Sequence, residues 1–350
     1  METETRPRNS LSLPWRTHIY LWCLSTTTEL VSRRDGTVSR NLLKLFQVRF
    51  KSNSNSVNGV KTYDVVMDPT HNIWFRVFVP THHIEQNLPV ILFFHGGGFV
   101  FLGPHINIYD TLCRSFAREA PAIVVAVDYR RAPEHRYPTQ HNDCFDLLTF
   151  LDNQENKSKS LPANANISQC FLVGDSAGGN IAHHVAQRAC EFDFKRLKVI
   201  GIVLIQPFFG GEEQTDSEKE YAQTYFVSLR QCNFYWNALM PPGYSRDHPV
   251  INVSGPNAYD ILKINFPATM VVISGIDSLR DWQKRYYQWL KRSGKKVYLV
   301  DYRNMCHGFY TFPELPECGK FVAEVKEFMR KLSKNMYIIY LLPVIYVFNS

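Results

Sequence analysis

The segment Gly174-Asp175-Ser176-Ala177-Gly178 limits what this chain can fold into more than any other. The residues before it, Cys170-Phe171-Leu172-Val173, form an apolar run suited to a buried strand. The residues after it, Ala177 to Cys190, place Ile181, Ala182, Val185, Ala186 and Ala189 on one helical face. A strand that turns sharply into a helix through G-x-S-x-G lifts the serine hydroxyl to the top of a sheet. Gly174 and Gly178 matter because side chains there would collide with strand and helix. The pentapeptide alone would equally suit a glycine-rich turn, so the rest of the chain has to decide.

A second motif lies upstream. Val90-Ile91-Leu92-Phe93-Phe94 is another continuous apolar run, and it ends in His95-Gly96-Gly97-Gly98-Phe99. Acyl transfer passes through a tetrahedral oxyanion, and backbone N–H groups aimed at that oxygen are its main stabiliser. Three glycines let the main chain turn two N–H groups toward one point. The N–H of Ala177, the residue after the serine, would be a third donor.

A serine nucleophile needs a base, and the base needs an orienting acid. The strand candidate Thr269-Met270-Val271-Val272-Ile273-Ser274 runs into Gly275-Ile276-Asp277. The next, Lys296-Val297-Tyr298-Leu299-Val300-Asp301-Tyr302, leads through Arg303-Asn304-Met305-Cys306 to His307. Asp277 and His307 therefore fall just past two successive strands, the edge where open α/β sheets place their sites. With Ser176 they follow the order serine, acid, histidine. Asp277 also suits a helix N-cap, since a helical pattern spans Arg280 to Ser293.

Strands are read at Gly59 to Val66, Ile73 to Val79, Val90 to Phe94, Ala122 to Val127, Cys170 to Val173, Val199 to Ile205, and near residues 270 and 298. Helical patterns fall at Ile108 to Arg118, His141 to Leu151, Ala177 to Cys190 and Asp281 to Arg292. This alternation predicts an α/β fold with a mostly parallel eight-stranded sheet, covered on both faces after two antiparallel lead-in strands. The polar run Asn153 to Ser160 is read as a surface loop. The charge of +7 is spread along the chain in short clusters without a nucleic-acid motif, so no nucleic-acid partner is expected. Eight cysteines form no Cys-x-x-Cys pair and read as reduced, mostly buried residues of a cytoplasmic protein. His82-His83 and His183-His184 are adjacent pairs that cannot face one way, so no metal site is expected, and no cofactor.

Together, His95 to Gly98, Gly174 to Gly178, Asp277 and His307 resemble the hormone-sensitive-lipase-like branch of the α/β-hydrolases. The chain is similar in particular to the plant carboxylesterases of that branch, to which the gibberellin receptors also belong. Asp128-Tyr129-Arg130-Arg131-Ala132-Pro133-Glu134-His135, Gly178-Gly179-Asn180-Ile181-Ala182-His183 and Asp35-Gly36-Thr37-Val38 carry the same likeness, as does the stretch Gly201 to Gly211. It implies a serine esterase acting on a small-molecule ester, with Ser176, Asp277 and His307 as triad. The oxyanion hole it implies is the N–H groups of Gly97, Gly98 and Ala177, supported by His95, Gly96, Gly174, Asp175 and Gly178. Two relatives set rival readings. The receptors replace the third glycine and the triad histidine, whereas Gly98 and His307 are present here. Hydroxyisoflavanone-type dehydratases often carry threonine at the nucleophile position, which is Ser176 here. Ser278 stands where relatives commonly have proline, and Arg131 where they commonly have leucine.

The resemblance also divides the chain. Residues 1–50 are expected to form an N-terminal lid, with a helix around Leu11 to Leu24. Residues 51–333 are the catalytic domain, with a lid insertion at about 210–266 rich in aromatics (Tyr221, Tyr225, Phe226, Phe234, Tyr235, Trp236). A lid excludes water and selects the groups that fit. The last family helix is expected to end near Leu332. That leaves 334–350 as an atypical apolar tail, an isoform or gene-model feature too short to span a bilayer. Cytoplasm, with the nucleus as a second location, is the expected compartment. Oligomeric state is not legible.

Overall fold

The structure, a computed structural model, describes residues 14–33, 35–82, 87–224 and 227–340. Two short helices come first, α1 (Trp15–Val31) and α2 (Arg40–Phe46). Strands β1 (Val60–Asp68), β2 (Ile73–Pro80) and β3 (Leu88–Phe94) follow, then α3 (Asn107–Glu119) and β4 (Ile123–Asp128). Next come α4 (Thr139–Asp152), α5 (Gln154–Ser160), β5 (Ala165–Asp175), α6 (Ala177–Ala189) and β6 (Val199–Ile205). Helices α7 (Asp216–Glu220) and α8 (Leu229–Leu239) are inserted before β7 (Ala268–Ile276). The chain closes with α9 (Arg280–Arg292), β8 (Val297–Cys306) and α10 (Pro316–Tyr340).

The eight strands form one sheet in the order β1-β2-β4-β3-β5-β6-β7-β8. Only β2 runs against its neighbours; every pairing from β4 to β8 is parallel. The continuous apolar runs have a direct cause, because both faces of the sheet are covered. Val90, Leu92 and Phe94 of β3 pack into the core beneath α4, α6 and α9, while Ile91 and Phe93 pack into the other core, beneath α3 and α10. At the edge, β8 alternates half-buried and exposed residues. Parallel strands all point one way, so the loops after β3, β5, β7 and β8 gather at one edge.

Two sequence-based expectations change. The run read as a loop contains α5. The Asn153 side chain accepts from the N–H groups of Glu155 and Asn156 at 3.0 and 3.1 Å, capping a helix that buries only Ser160. A helix with so little apolar contact leaves no periodic signal, and its cap is its visible mark. The last helix does not stop near Leu332 but continues to Tyr340, and residues 334–340 of the supposed tail belong to it. Pro343 is the first strong helix breaker after Pro316. Residues 341–350 lie outside the described residues, as do 1–13, Tyr225 and Phe226. Helix α1 begins one residue after Pro14, later than expected, and runs on to Val31. Among the described residues, no helix is long and apolar enough to cross a membrane, and no group of three His, Cys, Asp or Glu is placed to hold a metal.

Buried imidazoles tie α6 to its neighbours. His141 of α4 meets Asn180 Oδ1 at 3.1 Å, and His183 Nδ1 meets the Tyr286 hydroxyl of α9 at 2.9 Å. Burial pushes His141 down to about 4 and His183 to about 3. Both stay neutral in the folded protein at a pH where the unfolded chain binds protons. The stability they permit is therefore present above pH about 6.5 and lost as pH falls toward 4. The unfolding free energy should drop over that window, at about 1.4 kcal/mol per pH unit for each imidazole, and the urea midpoint with it. His141→Gln should flatten the slope, which denaturation curves at stepped pH would show.

Candidate active site

Ser176 sits between the end of β5 and the start of α6 with φ +50° and ψ −117°. A non-glycine residue in such a conformation costs about 1–3 kcal/mol. Three backbone bonds hold it there. The Ser176 N–H donates to Ile205 O at 2.8 Å, and Ser176 O accepts from Phe208 N at 2.8 Å and Asn180 N at 3.2 Å. The turn is tight enough that a Cβ on Gly178 would lie 1.9 Å from Phe94 O. Strand β3 and helix α6 can approach only because residue 178 has no side chain.

The glycine loop follows β3 directly. Gly97 and Gly98 adopt φ +97° and +61°. A Cβ on Gly98 would also meet the Tyr235 ring at 2.4 Å. The N–H groups of Gly97, Gly98 and Ala177 have no hydrogen-bond partner among the described residues. His95 does not face the reaction space. It stacks on Tyr129 with ring centroids 4.2 Å apart, and its Nδ1 lies 2.8 Å from Gly96 O.

Asp175 joins the loop to the elbow. Its Oδ1 accepts from Gly96 N at 2.8 Å, and its Oδ2 accepts from the hydroxyls of Tyr109 and Tyr310, each at 2.8 Å. Burial raises its pKa to about 6, against the pull of those two hydroxyls.

Asp277 and His307 meet across the ends of β7 and β8. His307 Nδ1 donates to Asp277 Oδ2 at 2.8 Å, and both side chains are almost fully buried. Asp277 also caps the turn into α9, with Oδ1 accepting from Leu279 N at 2.9 Å. Asp277 is therefore not the helix N-cap, which is Leu279, but one of its oxygens holds the N–H of that residue while the other faces His307. Gln283 Nε2 adds a donor to Oδ2 at 3.0 Å.

A narrow cavity of about 50 Å³ brings these parts together. Ser176, His307, Gly97 and Gly98 line its floor; Leu21 and Leu24 of α1, with Val227 and Tyr235, form its cover. Of the insertion's aromatics with described positions, only Tyr235 reaches it; Trp236 stacks on Phe208 at 4.2 Å instead. Cys306 is buried but does not line the cavity, and burial pushes its thiol up to about 12.

Two polar residues, Gln206 and Gln283, escaped the sequence reading, and a third, Ser278, was noted only for standing where relatives commonly have proline. Gln206, at φ +45°, brackets His307: its Nε2 donates to Cys306 O at 3.1 Å and its Oε1 accepts from Gly308 N at 2.7 Å. Gln283 supports the acid. The Ser278 hydroxyl donates to Val227 O, which a proline there could not do. Gln206 and Ser278 act on partners about a hundred and about fifty residues away, and Gln283 reaches back six residues to Asp277 from within α9, so none leaves a recognisable spacing signal. The Gln-Pro step after β6 was the one visible hint.

Fold and site define an α/β-hydrolase. A sequence profile for the alpha/beta hydrolase fold matches residues 91–311. The chain is 36% identical over 330 residues to the gibberellin receptor GID1C of Arabidopsis thaliana, covering 91% of this chain and 94% of the receptor. It is 31% identical over 283 residues to the 3-O-acetylpapaveroxine carboxylesterase CXE1 of Papaver somniferum, covering 77% and 88%. A hyperthermophilic esterase from Pyrobaculum calidifontis shares the fold with a TM-score of 0.71 at 24% identity, over 92% of this chain and 99% of that one. The chain belongs to the α/β-hydrolase family, in the hormone-sensitive-lipase-like branch of plant carboxylesterases and gibberellin receptors.

Gln206→Ala would strand the buried Gly308 N–H and Cys306 carbonyl. Each stranded group costs about 1–3 kcal/mol. The variant should lose roughly 2–4 kcal/mol in urea unfolding at unchanged m-value.

Proposed function

We propose that this protein is a serine carboxylesterase that hydrolyses carboxylic esters through an acyl-enzyme on Ser176. The observation that carries the reading is the 2.8 Å Asp277–His307 bond, with His307 and Ser176 facing one cavity. Because Asp277 holds Nδ1, Nε2 is the nitrogen that takes the Ser176 proton as Oγ attacks the ester carbonyl. Asp277 stabilises the imidazolium that forms. The N–H groups of Gly97, Gly98 and Ala177 receive the oxyanion. Ala177 is the first residue of α6, so the helix dipole favours negative charge there as well. His307 then protonates the leaving alcohol, and water hydrolyses the acyl-enzyme by the same steps in reverse order of partners. Helix α1 and the 210–266 insertion act as the cap that excludes water and sets which esters fit.

A second reading, binding of a gibberellin-like hormone without turnover, is favoured by the 36% identity to a receptor along nearly its whole length. Gly98, His307 and the intact acid–base pair favour hydrolysis instead. Purified protein should turn over p-nitrophenyl acetate with an initial burst. Ser176→Ala should abolish the burst and lower kcat at least about a thousandfold while leaving the unfolding curve in place. Absence of Ser176-dependent turnover on short and long p-nitrophenyl esters, with saturable binding of labelled gibberellin, would replace the esterase by the receptor.

A further inference from the structure

A second cavity, larger than the one at Ser176, does not contain that residue. It has a volume of about 620 Å³ and lies between α2 and the strap that follows it on one side, and the start of β2 and the loop after β4 on the other. Leu102, a leucine held at φ +69°, is the wall it shares with the Ser176 cavity. Its lining is lopsided in charge. Five Arg and Lys side chains face two acids, and Asp143, behind Arg130, makes a third.

Three of the cations are committed to the framework. Arg40 pairs with Glu134 and donates to Val100 O and Ala132 O, each at 2.6 Å, fixing α2. Arg131 pairs with Asp128 and donates to Leu102 O at 2.7 Å. Arg130 is held by Asp143 at 2.6 Å. Lys44 and Arg49 differ. Neither has an acidic partner among the described residues, and the side-chain bond Arg49 makes is to Gln47 at 3.2 Å. The strap that carries Arg49 is itself anchored, with Phe50 N donating to His105 O at 2.8 Å. The walls are set before any ligand arrives, and two cations remain uncommitted. Such preorganisation lowers the cost of binding.

The same cavity is lined by an aromatic corner. The Trp74 and His105 rings have centroids 5.7 Å apart at 38°. The His105 imidazole registers the local field: burial, then Arg131, Arg49 and Arg76 acting against Asp128, push it down to about 4. It is therefore neutral near pH 7 and presents a ring rather than another charge.

We propose that this cavity is a second ligand site, separate from the Ser176 cavity, that binds an organic anion carrying an aromatic ring, with the ring in the Trp74–His105 corner and the carboxylate or phosphate on Lys44 and Arg49. Ring and charge are both required, because the corner gives stacking surface and the two arms give the electrostatic contact. The site does not depend on turnover at Ser176.

Isothermal titration calorimetry on the full chain tests it, with 1-naphthyl phosphate and 1-naphthoate as the two anions, and 1-naphthol and inorganic phosphate as ring-only and charge-only controls. Saturable 1:1 binding of at least one naphthyl anion is expected, and which one binds tells phosphate from carboxylate. Both controls should bind more weakly. The exposed double variant Lys44→Gln with Arg49→Gln should bind at least about tenfold more weakly, with its circular dichroism and melting unchanged. Ser176→Ala should bind as wild type does, which keeps this result apart from any failure of the esterase reading. The proposal is overturned if neither anion saturates, if 1-naphthol binds as tightly as the anions, or if the double variant keeps wild-type affinity.

Discussion

The carboxylate of Asp175 is the point on which the site converges. It ends β5, precedes the serine, and accepts from the glycine loop after β3, from α3, and from the turn that follows His307. Two loops and a helix are thereby referenced to one pair of oxygens. The arrangement is not a source of stability. Burial raises the pKa to about 6 despite two tyrosine donors, so ionising Asp175 at neutral pH costs roughly 3 kcal/mol relative to the unfolded chain. The surrounding hydrophobic cores carry that cost, and the return is geometry: the glycine loop and the histidine turn cannot drift independently. The same logic holds at Ser176, whose strained backbone is fixed by three main-chain bonds.

Much of this was legible in the sequence because the relevant signals are local. A parallel strand covered on both faces is apolar along most of its length, so β3, the second half of β5 and β7 stand out as runs. The residue after each run then marks the C-terminal edge of the sheet. Gly98 and Gly178 are readable for a similar reason, since positive φ and close packing admit few alternatives. What stayed hidden acts at a distance. Gln206 meets its partners a hundred residues later in the chain. Asn153 caps a helix too polar to show a period, and the length of α10 depends on the absence of a breaker rather than on any pattern.

Roles are harder to read than places. Hydrolysis and hormone binding can share a fold, a cavity and a cover. They differ in whether a proton can leave the serine and an oxyanion can be met. That difference sits in a few atoms at the floor, whereas overall identity is averaged over hundreds of residues. The similarity to a gibberellin receptor and the intact Asp277–His307 pair therefore answer different questions. The basic cavity beyond Leu102 belongs to neither answer, since its cations lie on the far side of that partition.

The link between Ser278 and Val227 has a mechanical consequence. Val227 is β-branched yet adopts φ +59°, and its carbonyl is held by the hydroxyl of the residue next to the acid. From the same turn, Ser278 O accepts from Ser217 Oγ at 2.8 Å, and Asp281 accepts from Ser217 N at 2.8 Å. The cover of the cavity is thus tied by hydrogen bonds to the turn that carries Asp277. A substitution at Val227 or Ser278 that reshaped the cover of the cavity would therefore also be felt at the turn that positions Asp277.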